Sequence, residues 1–191
     1  DTGGASAAKE KAGSDAPVFP GFAPSHVEAV ATTMAVDFFL KIDGIPGESH
    51  DAKHKDEIDV LSWSWGANQT GTMSYGGGGG AGKVNFQDFS FTMRMNKATP
   101  KLILACANGE HIKKAVFIAR KAGKEQQEYM KIVFTDLMVA NYSTGGGGDE
   151  PIENCSLNFS KVEFEYKPQK ADGTLDGPIT AGWDLKKNVK V

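Results

Sequence analysis

The chain has 191 residues and 40% hydrophobic content, enough to bury one ordinary core. A formal net charge of −3 and a pI near 5.8 exclude the basic surface that non-specific nucleic-acid binding needs. Two cysteines, Cys106 and Cys155, stand far apart and form no C-x-x-C pair, so neither a disulfide framework nor a zinc ribbon is indicated.

Residues 1–33 differ in kind from the rest of the chain. Ala, Gly, Ser and Pro fill 18 of those 33 positions, too few large apolar groups remaining to offset the entropy of ordering. The composition predicts an N-terminal extension that stays mobile, with Phe19 and Phe22 as its aromatic anchors. Ser25 and Glu28 form a capping box before a short Ala-rich run. The opening "DTGGASAAKEKAG" lacks the apolar run of a Sec signal, and no window reaches membrane-spanning length, so neither Sec export nor a membrane span is expected.

From Met34 the sequence reads as strands. "AVDFFLKI" puts Phe38, Leu40 and Ile42 on one face. "ESHDAKHKDE" gathers His50, Asp51, His54, Asp56 and Glu57; on a helix the i, i+4 histidines would face one metal, as in H-E-x-x-H. The segment comes after "GIPG", has no apolar stripe and offers no third ligand at suitable spacing, so it reads as a charged, solvated loop. In "EIDVLSWSWG" alternation assigns Leu61, Trp63 and Trp65 to the core face, leaving Ser62 and Ser64 on the opposite one.

"SYGGGGGAGKVNF" imitates a phosphate-binding loop, since Gly77, Gly82 and Lys83 fit G-x-x-x-x-G-K. Val84 stands where the magnesium-binding hydroxyl belongs, a polar stretch precedes the motif, and "KVNFQDFSFTM" after it is a strand rather than a helix. A glycine-rich hairpin connection is the reading. One helix comes next in the chain, with Thr99 as N-cap, Pro100 in the first turn and Gly109 past the end. Leu102, Ile103 and Cys106 are expected on its buried face.

Further strands are "KAVFIARKA", "EYMKIVFTDLMVANYS", "NCSLNFSKVEFEYKP" and "TAGWDLKKNVKV". In the third of these, Val162, Phe164 and Tyr166 alternate inward against outward Glu163 and Glu165. "AGKEQQ", "STGGGGDE" and "KADGTLDGPIT" read as connections. The result is an all-β fold: a compact β-barrel of about eight strands with one short α-helix. There is no G-x-S-x-G elbow, no carboxylate pair stands out, and Cys106 has no evident histidine partner. No catalytic residue, metal or cofactor is assigned, and the chain is not expected to be an enzyme.

The runs "MAVDFFLKIDGIPGES", "EIDVLSWSWG", "GGGGGAGKVNFQDFSFT", "KATPKLILACANGEHI" and "AGWDLKKNVKV" closely resemble the haemolysin-coregulated protein (Hcp) family, inner-tube proteins of bacterial type VI secretion. The resemblance spans residues 34–191 as one tube-protein domain; residues 1–33 lie outside it. It implies a barrel related to phage tail tubes, a homohexameric ring and stacked rings. Expected partners are further copies of the chain, effectors in the pore, the spike protein and the contractile sheath, with no nucleic acid and no membrane insertion. The protein would be cytoplasmic before firing and then exported without a cleaved signal. The family's projecting hairpin implies that Tyr75, Gly76, Gly77, Gly78, Gly79 and Gly80 contact neighbouring subunits or rings, glycine permitting close backbone approach. Ser64, with Ser62 on the same face, is the candidate lumen contact for effectors. A monomeric barrel that binds a small ligand is the alternative.

Overall fold

The computed structural model describes residues 36–69, 83–121, 126–148 and 150–191. The N-terminal extension with Phe19, Phe22 and the Ser25–Glu28 cap, the run Tyr75 to Gly80, and most of "AGKEQQ" lie outside the described residues.

The strands are β1 (Val36–Ile42), β2 (Ile58–Ser64), β3 (Ala67–Asn68), β4 (Asn85–Phe86), β5 (Phe89–Arg94), β6 (Ile112–Lys121), β7 (Gln127–Gly145), β8 (Ile152–Tyr166), β9 (Ile179–Asp184) and β10 (Val189–Lys190), with helix α1 (Thr99–Asn108) after β5. The main sheet has eight strands in the order β10-β9-β8-β5-β2-β1-β6-β7. A further pairing of β7 with β8 closes six of them into an antiparallel barrel, and β9 and β10 extend from β8. Closure satisfies backbone groups that an open sheet would leave unpaired.

Aromatic rings fill the barrel. Phe89 lies 4.9 Å from Phe134 and 5.0 Å from Phe117, and Phe134 lies 4.8 Å from Phe159. Leu40, Ile58, Phe91, Ile132 and Leu157 are buried around them. Trp63 and Trp65 pack against this core half-buried, Trp63 with its ring 5.1 Å from Phe117.

Three details differ from simple alternation. The β2–β5 register slips between Val60 and Ser62, a bulge that leaves Leu61 exposed while Ile58, Val60, Trp63 and Trp65 keep the core side. Along β7 the buried set changes from Met130, Ile132 and Phe134 to Leu137 and Val139, across Asp136 with φ 49°. Opposite it, β8 changes from Cys155, Leu157 and Phe159 to Val162 at Ser160, whose hydroxyl donates to Asp136 at 2.9 Å. Phe164 continues the inward row of β8, but Tyr166, at its end, is exposed.

Helix α1 begins one residue earlier than its capping pattern suggests. Ala98 occupies the N-cap and Thr99 is already helical, its hydroxyl turned away to the buried Glu153 at 2.8 Å. Pro100 remains in the first turn, and Gly109 closes the helix in the left-handed region at φ 66°, its N–H bonded to the Ala105 carbonyl. Leu102 and Ala105 are buried and Cys106 packs half-buried on the core, but Ile103 is exposed.

The segment 47–57 is docked on the barrel rather than solvated throughout. Gly47 donates to the Asp56 carbonyl at 2.8 Å, and a Cβ at Gly47 would lie 2.3 Å from the Glu57 oxygen, so only glycine fits. His54 is buried, stacked on Phe39 at 4.2 Å, with its Nδ1 3.0 Å from Glu57. Arg120, itself buried, covers the Phe39 ring and forks onto Asp51 (2.6 Å) and Asp37 (3.1 Å). That fork holds the Asp51 carboxyl well below its usual range, backbone N–H groups of Lys53 and His54 helping.

Candidate functional site

Four strand segments share one outward face: β2, β5, the first half of β8 and the second half of β7. Because side chains alternate, the face opposite Trp63, Phe91 and Cys155 carries Ser62, Ser64, Ser90, Thr92, Asn154 and Ser156, with Asn141 beyond the bulge in β7. Ser62 sits across from Thr92 with their hydroxyls 2.7 Å apart, and Ser64 sits across from Ser90. The residues border a shallow concavity of about 320 Å³ with no charged side chain in its lining. Ser62 and Ser64 are therefore brought together with five further short polar groups that the sequence left unassigned. Their period-2 spacing within "FSFTM" and "NCSLN" was visible; the register aligning three strands was not.

Each side of this face ends in backbone with no strand partner among the described residues. The β1–β2 ladder runs only from Leu40 with Ile58 to Phe38 with Val60, so Leu61–Ser64 has no β1 partner among the described residues. The β6–β7 ladder stops at Ile112 with Leu137, so among the described residues β7 from Met138 to Gly145 pairs with β8 alone. In the antiparallel order, β2 and β8 run one way and β5 and β7 the other.

Behind the face lies a wholly buried carboxylate. Glu153 accepts from the Thr99 and Tyr142 hydroxyls, each at 2.8 Å. Burial, with Glu153 beside it, pushes the Tyr142 hydroxyl up to about 12. Burial likewise pushes the Cys155 thiol up to about 12, the reverse of an activated nucleophile. Nothing in the sequence pattern around Glu153 announced its partners, because Thr99 lies 54 positions away and Tyr142 reaches it only through the β7–β8 register.

The remaining sequence candidates take other places. His50 and His54 are split, His50 exposed and His54 turned into the barrel wall. Among the described residues no group of three or more His, Cys, Asp or Glu side chains is arranged to hold a metal ion, and no helix is long and apolar enough to cross a membrane. Lys83 leads into strand β4, which pairs with β3 through Ala67 with Phe86 and Asn68 with Asn85, an antiparallel stem in place of a phosphate-binding helix. Tyr75 and Gly76 to Gly80 belong to the connection beyond that stem, outside the described residues.

Comparison with known proteins gives one answer at three levels. A family model described as "Type VI secretion system effector, Hcp" matches residues 39–166. The protein hcp1 of Pseudomonas aeruginosa is 52% identical over 161 residues, covering 82% of this chain and 99% of that protein. Among solved structures, Hcp1 from Salmonella typhimurium superposes with a TM-score of 0.69 at 45% identity, covering 83% of this chain and all of that one. A structure described as a type six secretion system protein gives 0.77 at 32% identity, covering 82% of this chain and all of that one. With the closed barrel, its single short helix and matches of this extent, the chain belongs to the Hcp family of type VI secretion proteins.

Proposed function

We propose that the protein is the building block of a type VI inner tube: a homohexameric ring, stacked on further rings, whose pore is lined by the face bearing Ser62 and Ser64. The observation that supports this reading is a pair of half-edges, each without a strand partner among the described residues, bounding an uncharged polar face. An edge of β7 meeting the β2 edge of the next copy makes an antiparallel seam like those within the sheet. Because β7 and β2 are different surfaces, the contact is heterologous and repeats around a rotation axis until it closes. Closure also removes edges that would otherwise recruit unrelated strands.

A lumen of hydroxyls and amides offers hydrogen bonds to an effector without a fixed charge that would immobilise it. No turnover is involved. The spike and sheath are the further partners, and the protein is cytoplasmic until firing exports it without a cleaved signal. Tyr75 and Gly76 to Gly80 contact neighbouring subunits or rings, and residues 1–33 are an extension to the tube domain 34–191.

Electron micrographs and native mass of the full chain test the assembly; six-fold rings are expected, and a single-subunit mass would favour the small-ligand barrel instead. Ser64→Gln is expected to reduce retention of a co-purifying effector with the ring intact. Unchanged retention would remove Ser64 from the lumen contact. Deleting Gly76 to Gly80 is expected to shorten tubes while leaving the thermal midpoint in place.

A further inference from the structure

Register sorts the short polar side chains of the uncharged face into two rows, each crossing β2, β5, β8 and β7 in turn. One row is Ser62, Thr92, Asn154 and Ser143; the other is Ser64, Ser90, Ser156 and Asn141. The rows differ in how much of their hydrogen-bonding capacity is already used. In the first, Ser62 and Thr92 are bonded to each other, hydroxyl to hydroxyl, at 2.7 Å. In the second, none of the four side chains bonds to another described residue. That second row also follows the concavity: Ser64 and Asn141 at its ends are exposed, Ser90 is half-buried, and Ser156 lies buried in the floor.

A hydroxyl committed to a neighbour must give up that bond before it takes another, whereas a free one only exchanges water for a partner. Each serine hydroxyl and the Asn141 amide can both donate and accept, so the row demands no fixed pattern of donors from what it binds. No charged side chain lines the concavity, and a charged group pressed against it would lose water without meeting a counter-charge. The surface this row fits is uncharged and polar.

Resting on the reading that makes this face a pore wall, we propose that Ser64, Ser90, Ser156 and Asn141 form the effector-contact row, selecting the uncharged polar side of a small folded protein. Ser62 and Thr92 brace each other and act as a spacer. Sequence pattern singled out Ser64 alone of the four; register adds the other three. Where β7 of one copy meets β2 of the next, Asn141 ends one row and Ser64 opens another, so successive rows join into a belt.

The probe is the effector that stays with the purified full-chain ring, identified by mass spectrometry, then expressed alone, labelled and added back. Fluorescence anisotropy reads its dissociation midpoint in about 50 mM and about 500 mM salt, and native mass confirms the ring. Ser90→Ala and Asn141→Ala are each expected to raise the midpoint about fivefold or more, and Thr92→Val by less than either. The parent midpoint is expected to move less than about threefold with salt, since no fixed charge is screened. Asn141 stands at the seam, so Ser90→Ala, in the middle of the sheet, decides the matter if Asn141→Ala loses its ring. Ser90→Ala binding like the parent overturns the row assignment, and so does a Thr92→Val loss equal to that of Ser90→Ala. A parent midpoint that shifts with salt by more than about threefold overturns the uncharged contact. Rings that retain no effector overturn the carrier reading, and a parent chain that is monomeric at every concentration overturns the ring reading itself.

Discussion

Strand β8 shows two surfaces of opposite character within one element. Its first half presents Asn154 and Ser156, opposite Thr92 and Ser90 of β5. Its second half presents Lys161, Glu163 and Glu165, opposite Thr135, Val133 and Lys131 of β7, with Lys161 bonded to Glu163 at 3.1 Å and Lys167 to Glu165 at 3.3 Å. The change falls at Ser160 and Asp136, where the inward rows of both strands switch phase. Lys186, then His111 and Ser160, hold the Asp136 carboxyl well below its usual range, so the junction stays ionised at any physiological pH. One long strand thus serves an uncharged wall and a charged one. A barrel wall is specified half-strand by half-strand, and the switch point needs its own polar fastening.

Breaking the core shared by both walls has the largest expected effect. Phe134, fully buried beside the switch, touches Phe89, Phe159 and Trp65, and Phe134→Ala is expected to cost about 3–5 kcal/mol in denaturant unfolding. A loss under ~1 kcal/mol would mean that the two walls do not share that core. Next comes the fastening behind the uncharged wall. Tyr142→Phe leaves Glu153 with Thr99 as its one remaining hydrogen-bond donor among the described side chains, and is expected to cost about 1–3 kcal/mol.

Acid separates the two regions further, because the ion pair between buried Arg120 and Asp51 holds the 47–57 segment on the charged side. The Asp51 carboxyl titrates near 3.8 in the unfolded chain and well below that when folded. Its stabilisation is therefore complete above about pH 5 and is lost progressively as pH falls through 4 toward the folded value. Asp51→Asn is expected to flatten the decline of the thermal midpoint between pH 6 and pH 3; parallel declines would assign the acid limb elsewhere. The smallest effect belongs to the exposed pairs of the charged wall. Glu163→Gln is expected to change stability by less than about 1 kcal/mol, since its partner Lys161 is partly solvated. A larger loss would show that this wall is held together by its charges.

Much of the fold was legible because it depends on period and punctuation. Alternation placed Phe38, Leu40, Trp63 and Val162 toward the core, and Pro100 with Gly109 bracketed the helix. Reading failed where a local irregularity reset the period: the bulge exposing Leu61, and the strand end exposing Tyr166. It failed again where one side chain had two possible tasks. Thr99 is a good cap by type, but a buried carboxylate 54 positions away claimed its hydroxyl. The 47–57 segment read as solvated because charge suggests water, whereas Arg120 and Phe39, distant in sequence, supplied it with partners.

By itself the sequence determined the all-β barrel with one helix, the strand that comes after the glycine run and the membership in a secretion family, since these depend on short-range periodicity, local steric preference and long matching runs. Only the tertiary structure decided which strands close the barrel, which strand segments pair with one another, and which hydroxyls and amides share a face. The reason is physical: alternation says that a side chain points away from the core, but register between strands far apart in sequence decides what stands beside it.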